Sequence, residues 1–315
     1  MSTADVSKTK AWMMAARPQT LPAGAAPVVV GAGLAVHEGV FAALPALAAL
    51  VGALLIQVGT NFANDYYDAV NGADTDEREG FTRVTQSGLI PPGQVKQAMW
   101  ATYGLAVVVG LYLVAIGGVP ILVVGLASIA AGIAYTGGPY PYGYRGLGDV
   151  FVFVFFGVVA VTGTYYVQAV TQVAGAFPTT LPPGTVTPES VVASLAAAGL
   201  STCILVVNNI RDRETDMEAG KRTLAVILGY RASRAEYLAM LALGYLSPLA
   251  LVVGYRYPPL VLLPLASLPV ATSVAKTVLT RTDGEALNPA LERTGQLLAL
   301  HSVLFAIGLV APTVI

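Results

Sequence analysis

Two short stretches of this chain gather carboxylates and amides at spacings that could hold a divalent cation. NFANDYYDAVNGADTDER (61–78) carries Asp65 and Asp68, and NNIRDRETDMEAGKR (208–222) carries Asp212 and Asp216. In a helix these i, i+3 and i, i+4 spacings put each pair on one face. Asn61 and Asn64 precede the first pair, and Asn208 and Asn209 precede the second, so each face also offers amide oxygens. The downstream residues match too: GFTRVTQ (80–86) and GKRTLAV (220–226) each place Arg beside Thr shortly after a Gly.

Such a donor set suits Mg²⁺, which takes oxygen ligands, keeps some waters and commonly shares a phosphate. Arg78, Arg83, Lys221 and Arg222 are the nearby cations for the remaining oxygens of a diphosphate. Metal and cations together would stabilise a departing diphosphate and favour ionisation of an allylic carbon. One such cluster could be nothing more than a solvated helix end. Two with the same Asn/Asp order and the same basic residues after them argue for a paired site.

The elements that must position these residues can be read from composition. Charged residues make up 11% of the 315 positions and apolar residues 55%, where soluble domains carry roughly 25% charge. A membrane-spanning helix takes about 20 mostly apolar residues. Charge-free apolar runs fall at 21–36, 41–63, 97–116, 119–135, 150–171, 190–208, 237–253, 258–275 and 294–315. This predicts an all-α polytopic membrane bundle of nine transmembrane helices, with a tight turn at Gly117 and Gly118. Pro22, Pro27 and three glycines make the first run a candidate for a kink, or for an interfacial segment starting near Trp12. Residues 1–16 are expected to be a cytoplasmic N-terminal segment, and 17–315 a single integral membrane domain.

Nine spans send 16 of the 17 Lys and Arg residues to one side and only Arg256 to the other. The positive-inside rule then predicts a multi-pass protein of the cell membrane with a cytoplasmic N-terminus and an external C-terminus. Both acidic clusters fall on the cytoplasmic side, four helices apart, as two four-helix pseudo-repeats plus one helix would place them. No charge falls in mid-span, which argues against an ion or proton path through the bilayer. A net charge of −1 and a pI near 6.1 provide no basic field for nucleic acid. The single cysteine, Cys203, excludes an internal disulfide framework and a multi-cysteine metal site.

The motifs resemble the UbiA superfamily of intramembrane aromatic prenyltransferases, and within it the branch that acts on 1,4-dihydroxy-2-naphthoate in menaquinone synthesis. Asn64, Asp65 and Asp68 match the family pattern NDxxD, with Asp74 as a further acid, and Asp212 and Asp216 match DxxxD. RPQTLPAGAAPVVVG (17–31), GTNFANDYYD (59–68), TRVTQSG (82–88), YTGGPYPYGYRGLGD (135–149) and GTYYVQ (163–168) resemble the naphthoate branch. The likeness runs from about residue 12 to the end. It implies Mg²⁺ held by Asp65, Asp68, Asp212 and Asp216, a polyprenyl diphosphate donor, and a naphthoate acceptor that loses CO₂ as the prenyl group arrives.

Arg145 and Asp149, in the loop before the fifth helix, are candidates for binding the acceptor's carboxylate and orienting a ring hydroxyl. Tyr140, Tyr142 and Tyr144 are candidates for an aromatic wall, although tyrosines collect at membrane interfaces in any case. Tyr165, Tyr166 and Gln168 lie toward the outer end and read as packing. His37 and His301 are remote from both clusters. The loop 172–189 reads as an external insertion. Two alternatives stay open: another prenyl acceptor (4-hydroxybenzoate, a tocopherol precursor, haem or glyceryl phosphate), or a transporter, which would instead place its polar groups near the midplane.

Overall fold

Backbone entering lipid must satisfy its own hydrogen bonds, which helices do within each segment. The computed structural model describes residues 6–72, 83–173 and 175–314; these form helices and turns, with no strand among the described residues. Eight stretches are long and apolar enough to cross a bilayer. One of them, Pro92–Ala134, has 43 residues and is broken at Gly118, with φ 62° and ψ −149°. Its two arms double back on each other: a Cβ placed on Gly132 would lie 2.7 Å from the Tyr103 hydroxyl, whereas an unbroken helix would hold these residues about 43 Å apart. Split at Gly118, this stretch brings the apolar spans among the described residues to nine, the number that the apolar runs of the sequence predict.

In chain order the helices are α1 (Lys8–Ala16), α2 (Leu21–His37), α3 (Ala43–Val70), α4 (92–117), α5 (119–134), α6 (Gly148–Val173), α7 (Pro188–Arg211), α8 (Arg213–Glu218), α9 (Leu224–Tyr255), α10 (Pro259–Thr280) and α11 (Gly284–Val314). With 9 and 6 residues, α1 and α8 are far too short to span. The turn between α4 and α5 needs glycine, because its φ is positive and Pro178 backbone fills the place of a Cβ. The loop before α7 closes this turn: Phe177 N–H donates to the Ala115 carbonyl at 3.1 Å, and Val119 N–H donates to that of Pro178 at 2.9 Å.

Small residues decide which helix is central. Ala193, Ala196, Ala197 and Ala198 are fully buried, and 72% of the apolar stretch of α7 is buried, against 17% for the α4–α5 hairpin. Close backbone approach of this kind is how membrane helices associate without a hydrophobic drive between them. The hairpin instead turns Leu105, Val108, Leu111, Val123 and Leu126 outward, each more than half exposed. At α2 the close approach is at Gly31, where a Cβ would stand 2.6 Å from the Val161 carbonyl of α6.

The helices outrun the charge-free runs at one end of the bundle. α9 is broken at Gly229 (φ 78°, ψ 170°), so that its long arm begins beyond that glycine, and α11 starts at Gly284. Both extend past the charge-free runs because Arg231, Arg234, Glu236, Glu285, Glu292 and Arg293 occupy turns beyond the apolar portion. α10 opens with 3₁₀ turns over Pro259–Ser267 around Pro264, and α6 contains a π-helical segment, Val154–Val159, a form that recurs at functional sites. The N-terminal segment is packed onto the bundle: Ser7 caps α1 by accepting from Lys10 N–H, and Trp12 meets Phe62 of α3 edge-on at 5.9 Å.

Candidate active site

The two acid pairs converge at one end of the bundle. Asp65 and Asp68 lie in the last turns of α3, Asp212 caps the end of α7, and Asp216 sits on α8. All four are buried, at 1%, 2%, 4% and 9% exposure. Carboxylates this dry stay ionised only when paired and hydrogen-bonded, and each has a cation of its own. Arg17 approaches Asp65 at 3.9 Å, Arg83 contacts Asp68 at 2.6 Å, Arg211 grips Asp212 with two bonds of 2.7 Å, and Lys221 lies 3.6 Å from Asp216. The second acid of each pair thus takes its cation from the matching basic motif downstream.

Further bonds orient these groups. Thr85 donates both N–H (3.2 Å) and hydroxyl (2.7 Å) to Asp65. The Arg211 guanidinium also donates to Asn208 and Asn288, at 2.8 Å each. Tyr144 joins the clusters: its hydroxyl donates to Asp68, its ring lies 5.0 Å from Lys221 Nζ, and its carbonyl accepts from Arg222 N–H at 2.8 Å. Tyr135 is held between them, and burial together with the Asp149, Asp216 and Asp68 carboxylates keeps its phenol pKa well above the usual value.

Below the acids a cavity of about 380 Å³ runs between α2, α3, α4, α5 and α6. Its wall begins at Asn61 and Asn64, beside Asp65, and ends near Leu113 and Val167 in the half far from the acids. Rings form its upper side: Tyr142 stacks on Phe151 at 3.9 Å, and Phe151 lies 5.9 Å from Phe155. Val107, Leu111, Leu122 and Leu126 line it and are themselves exposed, so the chamber opens sideways along the α4–α5 hairpin.

The remaining residues singled out by the sequence separate into a set near the acids and a set at the opposite end of the bundle. Asn61 donates to the Ala16 carbonyl and to Thr20 Oγ1, both at 2.8 Å, and so ties the N-terminal segment across the chamber. Asn64 accepts from Thr136 at 3.0 Å, and Asn209 donates to Asp149 at 3.4 Å. Asp149 is 4% exposed, and its Oδ1 has no hydrogen-bond partner. Arg145 is exposed and stacks on exposed Tyr140 at 4.1 Å, whereas Tyr142 is buried and Tyr144 half-buried. The Arg222 side chain is exposed. Arg78, Asp74 and Asp76 lie outside the described residues. His37 stacks on Tyr257 at the opposite end, and His301 is buried between Tyr245 and Phe305. Arg17, Thr85 and Arg211 do not stand out in the sequence as site residues. Arg211 carries a readable signal all the same, since Asn208 lies one turn behind it and Asp212 is its neighbour.

Buried acid pairs matched by cations at one end, above an apolar chamber, define an intramembrane prenyltransferase. The sequence agrees over most of its length: the chain belongs to the UbiA prenyltransferase family, which matches residues 25–304. It is 39% identical to the 1,4-dihydroxy-2-naphthoate octaprenyltransferase of Escherichia coli, covering 98% of both chains, and 38% identical to that of Mycobacterium tuberculosis, covering 90% of this chain and 91% of that one. Among solved structures, a UbiA homolog from Aeropyrum pernix shares the fold with a TM-score of 0.69 at 15% identity, covering 93% of this chain and 98% of that one. A UbiA homolog from Archaeoglobus fulgidus, bound to DMAPP and Mg²⁺, superposes with a TM-score of 0.58 at 15% identity over 94% of this chain and 99% of its own.

Proposed function

We propose that this membrane protein transfers a polyprenyl group from polyprenyl diphosphate to 1,4-dihydroxy-2-naphthoate, with loss of diphosphate and CO₂, giving a demethylmenaquinol, the reduced form of demethylmenaquinone. The observation that carries this reading is the pair of buried, cation-matched acid clusters joined through Tyr144 at the mouth of an apolar chamber. Near full-length likeness to enzymes named for that acceptor supports the choice of substrate.

The donor set fits Mg²⁺ by its chemistry, since Asp65, Asp68, Asp212 and Asp216 offer only hard oxygen ligands. Among the described residues no three His, Cys, Asp or Glu side chains stand close enough to hold a metal ion. Each acid is occupied by a cation instead, so metal binding would exchange Arg17, Arg83, Arg211 and Lys221 from carboxylate onto diphosphate oxygens. Bound there, Mg²⁺ would neutralise charge on the leaving diphosphate.

The chain's own groups do the rest. The cations hold the diphosphate at the acidic end, which points the apolar tail into the chamber. The allylic C–O bond breaks with its electron pair going to diphosphate, and the stacked pair Tyr142 and Phe151 lines the space where the cation forms. The acceptor carbon bearing the carboxylate forms the new C–C bond. CO₂ then leaves that carbon and its bonding electrons restore the aromatic ring, so no ring proton has to be removed there. The buried, unpartnered Oδ1 of Asp149 supports a role for this residue in orienting an acceptor hydroxyl, and burial of this chemistry from water protects the cation. The distribution of Lys and Arg supports a cytoplasmic site, with the N-terminus on the same side.

The test is to incubate the purified protein with Mg²⁺, a polyprenyl diphosphate and acceptor labelled at its carboxylate. Release of labelled CO₂ in step with prenylated naphthalene is expected. Transfer to 4-hydroxybenzoate with none to dihydroxynaphthoate would overturn the choice of acceptor.

A further inference from the structure

Glycine is the poorest helix former after proline, and in membrane helices it normally marks a close contact. Gly24 and Gly132 obey that rule on the chamber wall: Cβ atoms there would meet Gln57 and Tyr103 at 3.4 and 2.7 Å. Four other wall glycines do not. At Gly52 of α3, Gly110 of α4, Gly125 of α5 and Gly163 of α6 a Cβ would meet nothing within 4 Å. None of the four has a neighbour that demands its small size, and each replaces a side chain that would project into the cavity.

They also share a depth. Gly52 is about 20 Å along α3 from Asp65, and Gly163 about 20 Å along α6 from Asp149. Gly110 and Gly125 stand about 10–12 Å from the hairpin turn at Gly118. Four different helices therefore present an absent side chain in the half of the chamber far from the acids. It is there that Leu111 and Leu126, the next residues of α4 and α5, line the sideways opening.

We propose that Gly52, Gly110, Gly125 and Gly163 set the length of isoprenoid tail the protein accepts, by keeping the distal half of the chamber empty. This rests on the prenyl-transfer reading above. A short donor ends before the ring of glycines, and a long one must pass it, so a side chain at this level excludes long tails while leaving the diphosphate site and the first isoprene units untouched.

The test compares kcat/KM for geranyl diphosphate and for an octaprenyl diphosphate in the full-length protein with Mg²⁺ and dihydroxynaphthoate. Gly110→Leu and Gly125→Leu should hold the geranyl value within about twofold and lose about tenfold or more on the octaprenyl donor, the discrimination a misfitted methylene or two produces in an apolar pocket. Gly104→Leu is the control: it is an exposed glycine of α4 with equal room, off the chamber wall, and should change neither value. Equal retention of both donors by the two chamber variants, or equal loss of both, would overturn the proposal while leaving the prenyl-transfer reading standing. A wild-type protein that transfers neither donor would overturn that reading and the length assignment with it.

Discussion

The hydroxyl of Tyr144 donates to the carboxylate of Asp68, linking the loop between α5 and α6 to the first acid cluster. The same ring lies against Lys221 of the second cluster, so one residue fixes the spacing between two sites that are far apart in sequence. Tyr144→Phe keeps the ring and removes the bond. A hydrogen bond to a charged group contributes about 1.5–3 kcal/mol, so kcat/KM should fall about 10- to 100-fold with the protein still folded. An unchanged steady-state rate would show that Tyr144 does not hold the two clusters in register.

Asp65 and Asp212 differ in what surrounds them, and this separates loss of chemistry from loss of fold. Asp65→Asn keeps an oxygen to accept from Thr85 and weakens only a 3.9 Å pairing with the part-exposed Arg17, so it is expected to abolish transfer with a modest change in thermal midpoint. Arg211→Met removes a cation that is 4% exposed and leaves Asp212, Asn208 and Asn288 without their shared donor. Breaking a buried pair from one side costs about 3–5 kcal/mol. Arg211→Met should therefore lower the thermal midpoint by far more than Asp65→Asn, and melting the two variants side by side decides this.

How much could be read in advance depends on which physics placed each residue. The expense of charge in lipid confines ionisable groups to span ends, so Asp65, Asp68, Asp212 and Asp216 stood out and the nine spans could be counted. The Gly118 turn was readable because little else than glycine allows it. The helix ends were not, since α9 and α11 continue through charged turns that no longer touch lipid. Partners such as Arg17 for Asp65, or Tyr144 for Asp68, come from distant segments brought together by packing, and local spacing carries no trace of them. The open glycines look in sequence like the packed ones; only the empty space beside Gly110 or the Val161 carbonyl beside Gly31 distinguishes them.

Asp283 provides a pH test away from the site. It accepts from Ala286 N–H at 3.0 Å at the start of α11 and pairs with Arg281 at 2.8 Å. The Arg281 bond first, then the backbone bond, holds its pKa at about 2, below the ordinary aspartate range. A carboxylate depressed by folding contributes stability above its unfolded value and loses it as pH falls through the folded one. Asp283→Ala should lower the thermal midpoint at neutral pH, and the gap from wild type should shrink between about pH 4 and pH 2. A gap that stays constant down to pH 2 would contradict the assignment.

Asp149 and Arg145 are four residues apart in sequence yet face different surroundings, and this predicts unequal roles for them. Asp149 is buried beside Asn209 with one carboxylate oxygen unpartnered. An unsatisfied buried acceptor costs about 1–3 kcal/mol or more, and an acceptor-ring hydroxyl would relieve it. Asp149→Asn should raise KM for dihydroxynaphthoate by about tenfold and leave KM for the prenyl donor near its wild-type value. Arg145 is at the surface against Tyr140, and an exposed cation–π contact contributes only about 0.5–1 kcal/mol. Arg145→Gln should accordingly change either KM by no more than about fivefold. Measuring both constants in both variants separates the roles: an Asp149→Asn effect confined to the donor would place Asp149 with the diphosphate instead, and an acceptor effect larger in Arg145→Gln would make the arginine the principal acceptor contact.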